Sequence, residues 1–193
     1  MTEIKYLRKK ELKKLFNTIK ATNWIRKYYL RDLIIFNIAY YCWLRISELS
    51  LIKLENYNKE NGQIYIKRLK GSNNSTIILD KERRLLLNKY IRIYNIKNDD
   101  ELLFKSKSLK PMTKSNIEAL VKYYKNKANI PNFHFHMLKH SIAVHLLEIW
   151  LSIFEVKHYL WHKSINSTMI YSSFSSLMQK EMYQKIEKNG LIY

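Results

Sequence analysis

Apolar residues near the amino end recur at helical spacing. Leu12, Leu15, Phe16 and Ile19 mark one face of an amphipathic helix over about Arg8 to Lys20. A polar break at Thr22-Asn23 follows, and then Leu30, Leu33, Ile34, Ile38 and Tyr41 predict a more buried helix ending near Trp43. Ser47-Glu48-Leu49 opens a short third helix with Ser47 as its expected cap. The period then changes. Ile64-Tyr65-Ile66-Lys67-Arg68-Leu69 and Ser75-Thr76-Ile77-Ile78-Leu79 are β-rich runs around the polar turn Lys70-Gly71-Ser72-Asn73-Asn74, the pattern of a hairpin. Asp80 caps a helix to about Tyr94, and Thr113 caps another to about Asn126, a segment that Pro131 ends. Helices are predicted from about Met137 to Ile149, Phe154 to Tyr159, Asn166 to Tyr171 and Ser175 to Glu187. No internal repeat, linker or low-complexity tract interrupts them. The pattern predicts one mainly α domain with a small antiparallel β-sheet, an α+β fold.

Composition sharpens this picture. Three glycines and two prolines among 193 residues argue against a loop-rich or all-β fold, and 47% hydrophobic residues suffice for a real core. The single cysteine, Cys42, excludes an intramolecular disulfide and suits a reducing compartment. The first residues run into a Lys/Arg-rich stretch rather than an apolar signal core. The most apolar window, Leu33 to Leu44, contains Asn37 and is too short to cross a bilayer. A soluble, cytoplasmic protein is expected.

Charge points to the partner. Lys and Arg number 35 against 16 Asp and Glu, a formal net charge of +19. An AT-rich genome enriches lysine without selection on the protein, yet an excess this large on a small domain favours a polyanion. Nucleic acid is expected rather than a membrane, because no helix joins a basic face to a clean apolar one.

Three segments carry candidate chemistry. Leu44-Arg45-Ile46-Ser47-Glu48-Leu49 places an arginine at the end of a buried helix. His134-Phe135-His136-Met137-Leu138-Lys139-His140-Ser141 gathers three imidazoles and a lysine at a helix start. Leu160-Trp161-His162-Lys163-Ser164 precedes Ile170-Tyr171. A helix N-terminus offers unpaired N–H groups, and flanking cations turn it into an anion site. His136 and Lys139, three apart, share one face of that turn. With Arg45 and a hydroxyl nucleophile, the parts suit phosphoryl transfer to a tyrosine. His134, His136 and His140 could hold zinc but lack a nearby carboxylate or thiol, so neither a metal nor another cofactor is expected. Arg45 could instead complement the helix dipole or pair with Glu48, and Lys70 could be a solvated turn lysine. His134 and His140 read as structural or DNA-proximal, and His145 and His158 as helix-face residues.

In order and spacing these segments resemble the tyrosine recombinase (phage integrase) family over roughly Leu7 to Tyr183. The Leu-Arg-x-Ser-Glu-Leu box is matched by Leu44 to Leu49, the His-x-Leu-Arg-His-Ser box by His136 to Ser141, the Leu-Gly-His box by Leu160 to His162, and the nucleophile by Tyr171. Ile-Tyr-Ile-x-Arg-Leu-Lys and His-Met-Leu-x-His-Ser make the short fimbrial phase-switch group the nearest likeness. The resemblance implies the family's catalytic-domain fold and site-specific recombination of duplex DNA: inversion, integration or excision. Tyr171 would attack the scissile phosphate to give a 3′-phosphotyrosyl link and a free 5′-hydroxyl. Arg45, His136 and Lys139 would stabilise the phosphate oxygens, Lys70 would protonate the leaving oxygen, and His162 would hydrogen-bond the phosphate or assist proton transfer. It also implies a homo-oligomer, a tetramer in synapsis, and leaves room for accessory DNA-bending proteins. A DNA-binding protein with weakened cleavage, or a relaxing enzyme of type IB topoisomerase kind, remains an alternative.

The chain departs from the family pattern in three respects. Lys139 replaces a forked guanidinium with a point charge. Trp43, Trp150 and Trp161 stand where the family has glycine. Either their codons are UGA, read as tryptophan here but as glycine in the source organism, or these corners have been repacked around indole rings. Only 44 residues precede Arg45, so residues 1–193 are expected to form the catalytic domain without a separate N-terminal core-binding domain. The last helix, with Leu177, Met178, Met182 and Ile186, could dock on a neighbouring protomer or pack on its own core.

Overall fold

The computed structural model describes residues 4–23, 28–69 and 73–188, apart from the side chains of residues 175–178, 180 and 181. Its centre is the apolar stretch picked out by periodicity. There α2 (Tyr29–Tyr41) is buried from Leu30 to Phe36 and packs against α1 (Lys9–Ala21), α4 (Lys81–Ile93) and α6 (His136–Leu147). Arg31 and Asp32 are buried within this helix as a pair at 2.8 Å. The Tyr124 hydroxyl donates to the second Asp32 oxygen at 3.0 Å, so the carboxylate enters the core satisfied.

A short helix, α3 (Ile46–Leu49), and a 3₁₀ turn, Leu54–Asn56, lead to the hairpin. Strands β1 (Gln63–Ile66) and β2 (Ser75–Ile78) pair antiparallel with Gln63 opposite Ile78 and Ile66 opposite Ser75. Ile64, Ile66 and Ile77 face the core while Tyr65 and Ile78 face outward, the period-2 alternation of a sheet with one wet side. Helix α5 (Lys114–Lys127) precedes α6, and α7 (Ile153–Tyr159), α8 (Asn166–Met169) and α9 (Ser172–Lys188) follow it. No helix among the described residues is long and apolar enough to cross a membrane.

Local capping chemistry follows the sequence at two helices. Asp80 accepts from the Arg83 N–H at 2.9 Å, and Thr113 from the Asn116 N–H at 3.2 Å. Ser47 is not a cap. It lies inside α3, and Arg45 takes the cap position with its backbone N–H bonded to the Glu48 carboxylate at 3.0 Å. His145 is buried rather than on an open face, with Nδ1 2.9 Å from the Tyr40 hydroxyl. The final helix begins at Ser172, three residues earlier than expected, and Phe174 packs edge-on to Tyr6 of the same chain at 5.3 Å. The side chains of Leu177 and Met178 lie outside the described residues.

Among the described residues, five helices end in one backbone motif. At each, the N–H of a residue with positive φ bonds to the carbonyl three residues back, and the next N–H bonds to the carbonyl five back. Asn95 and Asn129 hold two of these positions, and asparagine tolerates the left-handed region. Trp43, Trp150 and Trp161 hold the other three, at φ of 44°, 69° and 50°.

Candidate active site

Arg45 is fixed by a buried carboxylate. Glu48, on the first turn of α3, accepts the Arg45 guanidinium at 2.9 Å and the Arg68 guanidinium at 3.0 Å. It also accepts the Leu69 N–H at 3.2 Å, and Arg45 in turn donates to the Leu69 carbonyl at 3.2 Å. Arg68, itself buried, reaches the Cys42 carbonyl and the Ser75 hydroxyl. Burial alone would raise the Glu48 carboxyl, but the Arg45 N–H, the Arg68 charge and the Leu69 N–H together hold it below the usual range. One carboxylate thus clips the arm of the hairpin to the arginine. Glu48→Ala would leave Arg68 buried without its counter-charge, and chemical denaturation should show a loss of about 3–5 kcal/mol.

The Arg45–Glu48 pair considered from sequence is therefore present, yet Arg45 also borders open space. With Ile46, Met112, Phe135 and His136 it lines a cleft of about 560 Å³. His136 is the first residue of α6, and the next two N–H groups of that helix start, on Met137 and Leu138, are bonded to the His134 and Phe135 carbonyls. Lys139 follows one turn on. Its ammonium is pushed down to about 8 by burial and then by Arg45 and Arg68. His136 is lowered by burial and then by Lys139, Arg45 and His134.

His162, just past α7, is pushed down to about 4 by burial and then by Lys139, Arg45 and Arg68. Its Nδ1 lies 2.8 Å from the hydroxyl of Thr168, a fully buried residue of α8, which fixes the ring and leaves Nε2 for other partners. The charges of Arg45 and Lys139 thus weaken the hold of His136 and His162 on protons, and Arg45 does the same to Lys139. A bound anion would relieve that repulsion.

Tyr171 sits in the turn between α8 and α9 and is only 1% exposed. Its hydroxyl lies 2.7 Å from Nδ1 of His140, whose ring meets that of His136 edge-on at 4.6 Å between centroids. Burial pushes the Tyr171 phenol well above its ordinary range. Of the six residues singled out by spacing, Arg45 and Lys139 with the imidazoles of His136 and His162 form one cluster, and Tyr171 joins it through His140. Lys70 lies outside the described residues; its neighbour Leu69 is bonded to both Arg45 and Glu48. Arg68, Thr168 and His140 were not singled out from sequence for these roles, and Glu48 was read only as an ion-pair partner of Arg45. Among the described residues no group of three His, Cys, Asp or Glu side chains is arranged to hold a metal.

A small helical α+β domain with a cationic cluster at a helix start and a buried tyrosine beside it narrows the class. The phage integrase family matches residues 5–176, and the chain belongs to that family. It is 29% identical over 191 residues to the tyrosine recombinase XerA of Pyrococcus furiosus, covering 97% of this chain and 63% of the relative. The tyrosine recombinase XerH of Campylobacter jejuni is 29% identical over 174 residues, covering 89% and 49%. The chain therefore spans about half to two-thirds of the length of these relatives. Among solved structures, XerH bound to palindromic difH substrate in a post-cleavage complex is similar with a TM-score of 0.77 and 26% identity, over 95% of this chain and 54% of that one. The catalytic domain of bacteriophage HP1 integrase shares the fold, with a TM-score of 0.66 and 19% identity, over 94% of this chain and 95% of that one. These relatives do not bear on the closer likeness to the fimbrial phase-switch group.

Proposed function

We propose that this chain is the catalytic part of a site-specific DNA recombinase that cuts duplex DNA through a 3′-phosphotyrosyl intermediate. The observation that carries this reading is the run of contacts from the Tyr171 hydroxyl through His140 to His136, which ties a lone phenol to a cationic cluster suited to a phosphodiester. Tyr171 Oη gives its proton to the neutral imidazole of His162 and bonds to phosphorus as the bond to the 5′ oxygen breaks. Arg45, His136 and Lys139 balance the charge that develops on the non-bridging oxygens, usually the largest single contribution to such steps. Lys70 delivers a proton to the leaving oxygen, and His162, oriented by Thr168, hydrogen-bonds the phosphate. The ester linkage conserves the energy of the broken bond, so rejoining needs neither ATP nor a metal. The protein acts on DNA where the chromosome lies, as a homo-oligomer that brings two sites together, with accessory DNA-bending proteins as further partners.

Nicked duplexes drawn from the DNA flanking the gene test this. The expected result is a protein–DNA complex that survives denaturant, with a nick at a defined position. Relaxation of any supercoiled plasmid without a preferred site would move the reading to a topoisomerase-like enzyme. DNA shifted in a native gel without any covalent complex would move it to a non-cleaving DNA binder. Salt will weaken DNA affinity in every case and does not discriminate.

A further inference from the structure

The position of the Tyr171 hydroxyl conflicts with the task proposed for it. Attack on phosphorus needs the two atoms about 3–3.5 Å apart and in line. A side chain 1% exposed cannot present its oxygen to a phosphate of duplex DNA. We infer that His140 is a positioning residue: its Nδ1 latches the Tyr171 hydroxyl in a stored pose, and cleavage begins with release of that hydrogen bond. The inference rests on the reading of Tyr171 as nucleophile.

Three features of the surroundings support a latch. The bond is short, 2.7 Å, and it links α6 to a turn 31 residues away. That turn is lightly held on its other side, because Met169 and Ile170 are about half exposed and α8 is a single turn of helix. A cleft of about 910 Å³, lined by His140, Met169, Ile170, Ser172 and Phe174 among others, gives the turn room to move. Nδ1 can accept the hydroxyl proton only while the imidazole is neutral. Burial first, then His136 and Lys139 of the same helix and His134 just before it, keep His140 neutral by lowering it to about 4.

His140→Ala removes the latch, whereas His140→Asn returns an acceptor oxygen near the position of Nδ1. Nitration of tyrosine by tetranitromethane, mapped to Tyr171 by peptide mass, reads storage without any DNA. Wild type and His140→Asn should be protected and His140→Ala modified. On a nicked duplex, His140→Ala should form the covalent complex about two- to tenfold faster than wild type, the worth of one ordinary hydrogen bond. Slower or unchanged complex formation by His140→Ala, with wild type active, would overturn the latch. If wild type forms no complex, the reading of Tyr171 as nucleophile fails instead, and the nitration pattern still decides where the hydroxyl is held.

A second, independent observation concerns the tryptophans. Three of the four in the chain occupy the left-handed position that closes a helix, each with the hydrogen-bond pair described above. A bulky side chain is a conformational outlier there, whereas glycine is the usual occupant. Trp150 and Trp161 are 56% and 43% exposed, so burial of their rings does little to offset the strain. We propose that positions 43, 150 and 161 are glycine in the natural protein, their codons being UGA read as glycine. The codons decide it: UGA is expected at all three, and UGG at all three overturns the proposal. In the chain as written, Trp150→Gly and Trp161→Gly should each raise Tm by about 2–8 °C, since the left-handed region costs side chains more than glycine. A fall in Tm for both would show that the corners are built around indole.

Discussion

Tyr171→Phe should leave DNA binding intact and abolish the denaturant-resistant DNA complex. Phenylalanine keeps the ring in its buried site but removes the one atom able to bond to phosphorus. The accompanying loss of the 2.7 Å bond to His140 should cost about 0.5–1.5 kcal/mol, a small part of the stability of a domain this size. The variant will therefore fold and shift DNA in a native gel as the parent does. The cationic cluster that grips the phosphate is unchanged, because Arg45, His136, Lys139 and His162 do not depend on the phenol oxygen. A covalent complex that persists in Tyr171→Phe would place the nucleophile elsewhere among the fifteen tyrosines or on another side chain.

Lys139→Arg should accelerate cleavage. An ammonium supplies charge to one phosphate oxygen at a time, whereas a guanidinium can hold two in a fixed plane. One well-aimed donor at a developing oxyanion is worth about 2.7–4 kcal/mol, or roughly 10²–10³ in rate. Single-turnover cleavage of a nicked duplex measures this directly, and an unchanged rate would remove Lys139 from the phosphate site. The pH profile gives a second signature. Burial, followed by Arg45 and Arg68, has pushed the Lys139 ammonium down to about 8. The charged form is the useful one, so at sub-saturating DNA the rate should fall as pH rises through 8, where Lys139 in the free protein loses its proton. Arginine stays charged throughout this range, and that limb should disappear in the variant.

Much of this site was legible because its parts are set by short-range chemistry. Asp80 and Thr113 announce their helices through side chains that accept an N–H three residues on, a relation contained in the sequence itself. The spacing of His136 to Lys139 fixes one helix face, and the arginine box ends a buried helix whose apolar run is unmistakable. Ser47 misled for a related reason. It is a good capping residue, but Glu48 closes the box on the Arg45 backbone two positions earlier.

What could not be read depends on contacts between distant segments. Arg68 reaches Glu48 across 20 residues, and His140 reaches Tyr171 across 31. No period or motif relates them. Thr168 stands six residues after His162, a spacing that matters only because the chain turns between α7 and α8. The tryptophans fall between these cases. Their oddity was visible as bulk at glycine positions, and the positive φ at each supplies the physical reason.

The account stands or falls on which atom bonds to DNA. The covalent complex formed on a nicked duplex would be digested with protease and nuclease, and the peptide carrying the nucleotide identified by tandem mass spectrometry. The predicted result is a 3′-phosphoryl nucleotide on the Tyr171 oxygen. A nucleotide on any other side chain, or linkage through a 5′-phosphate, would contradict it.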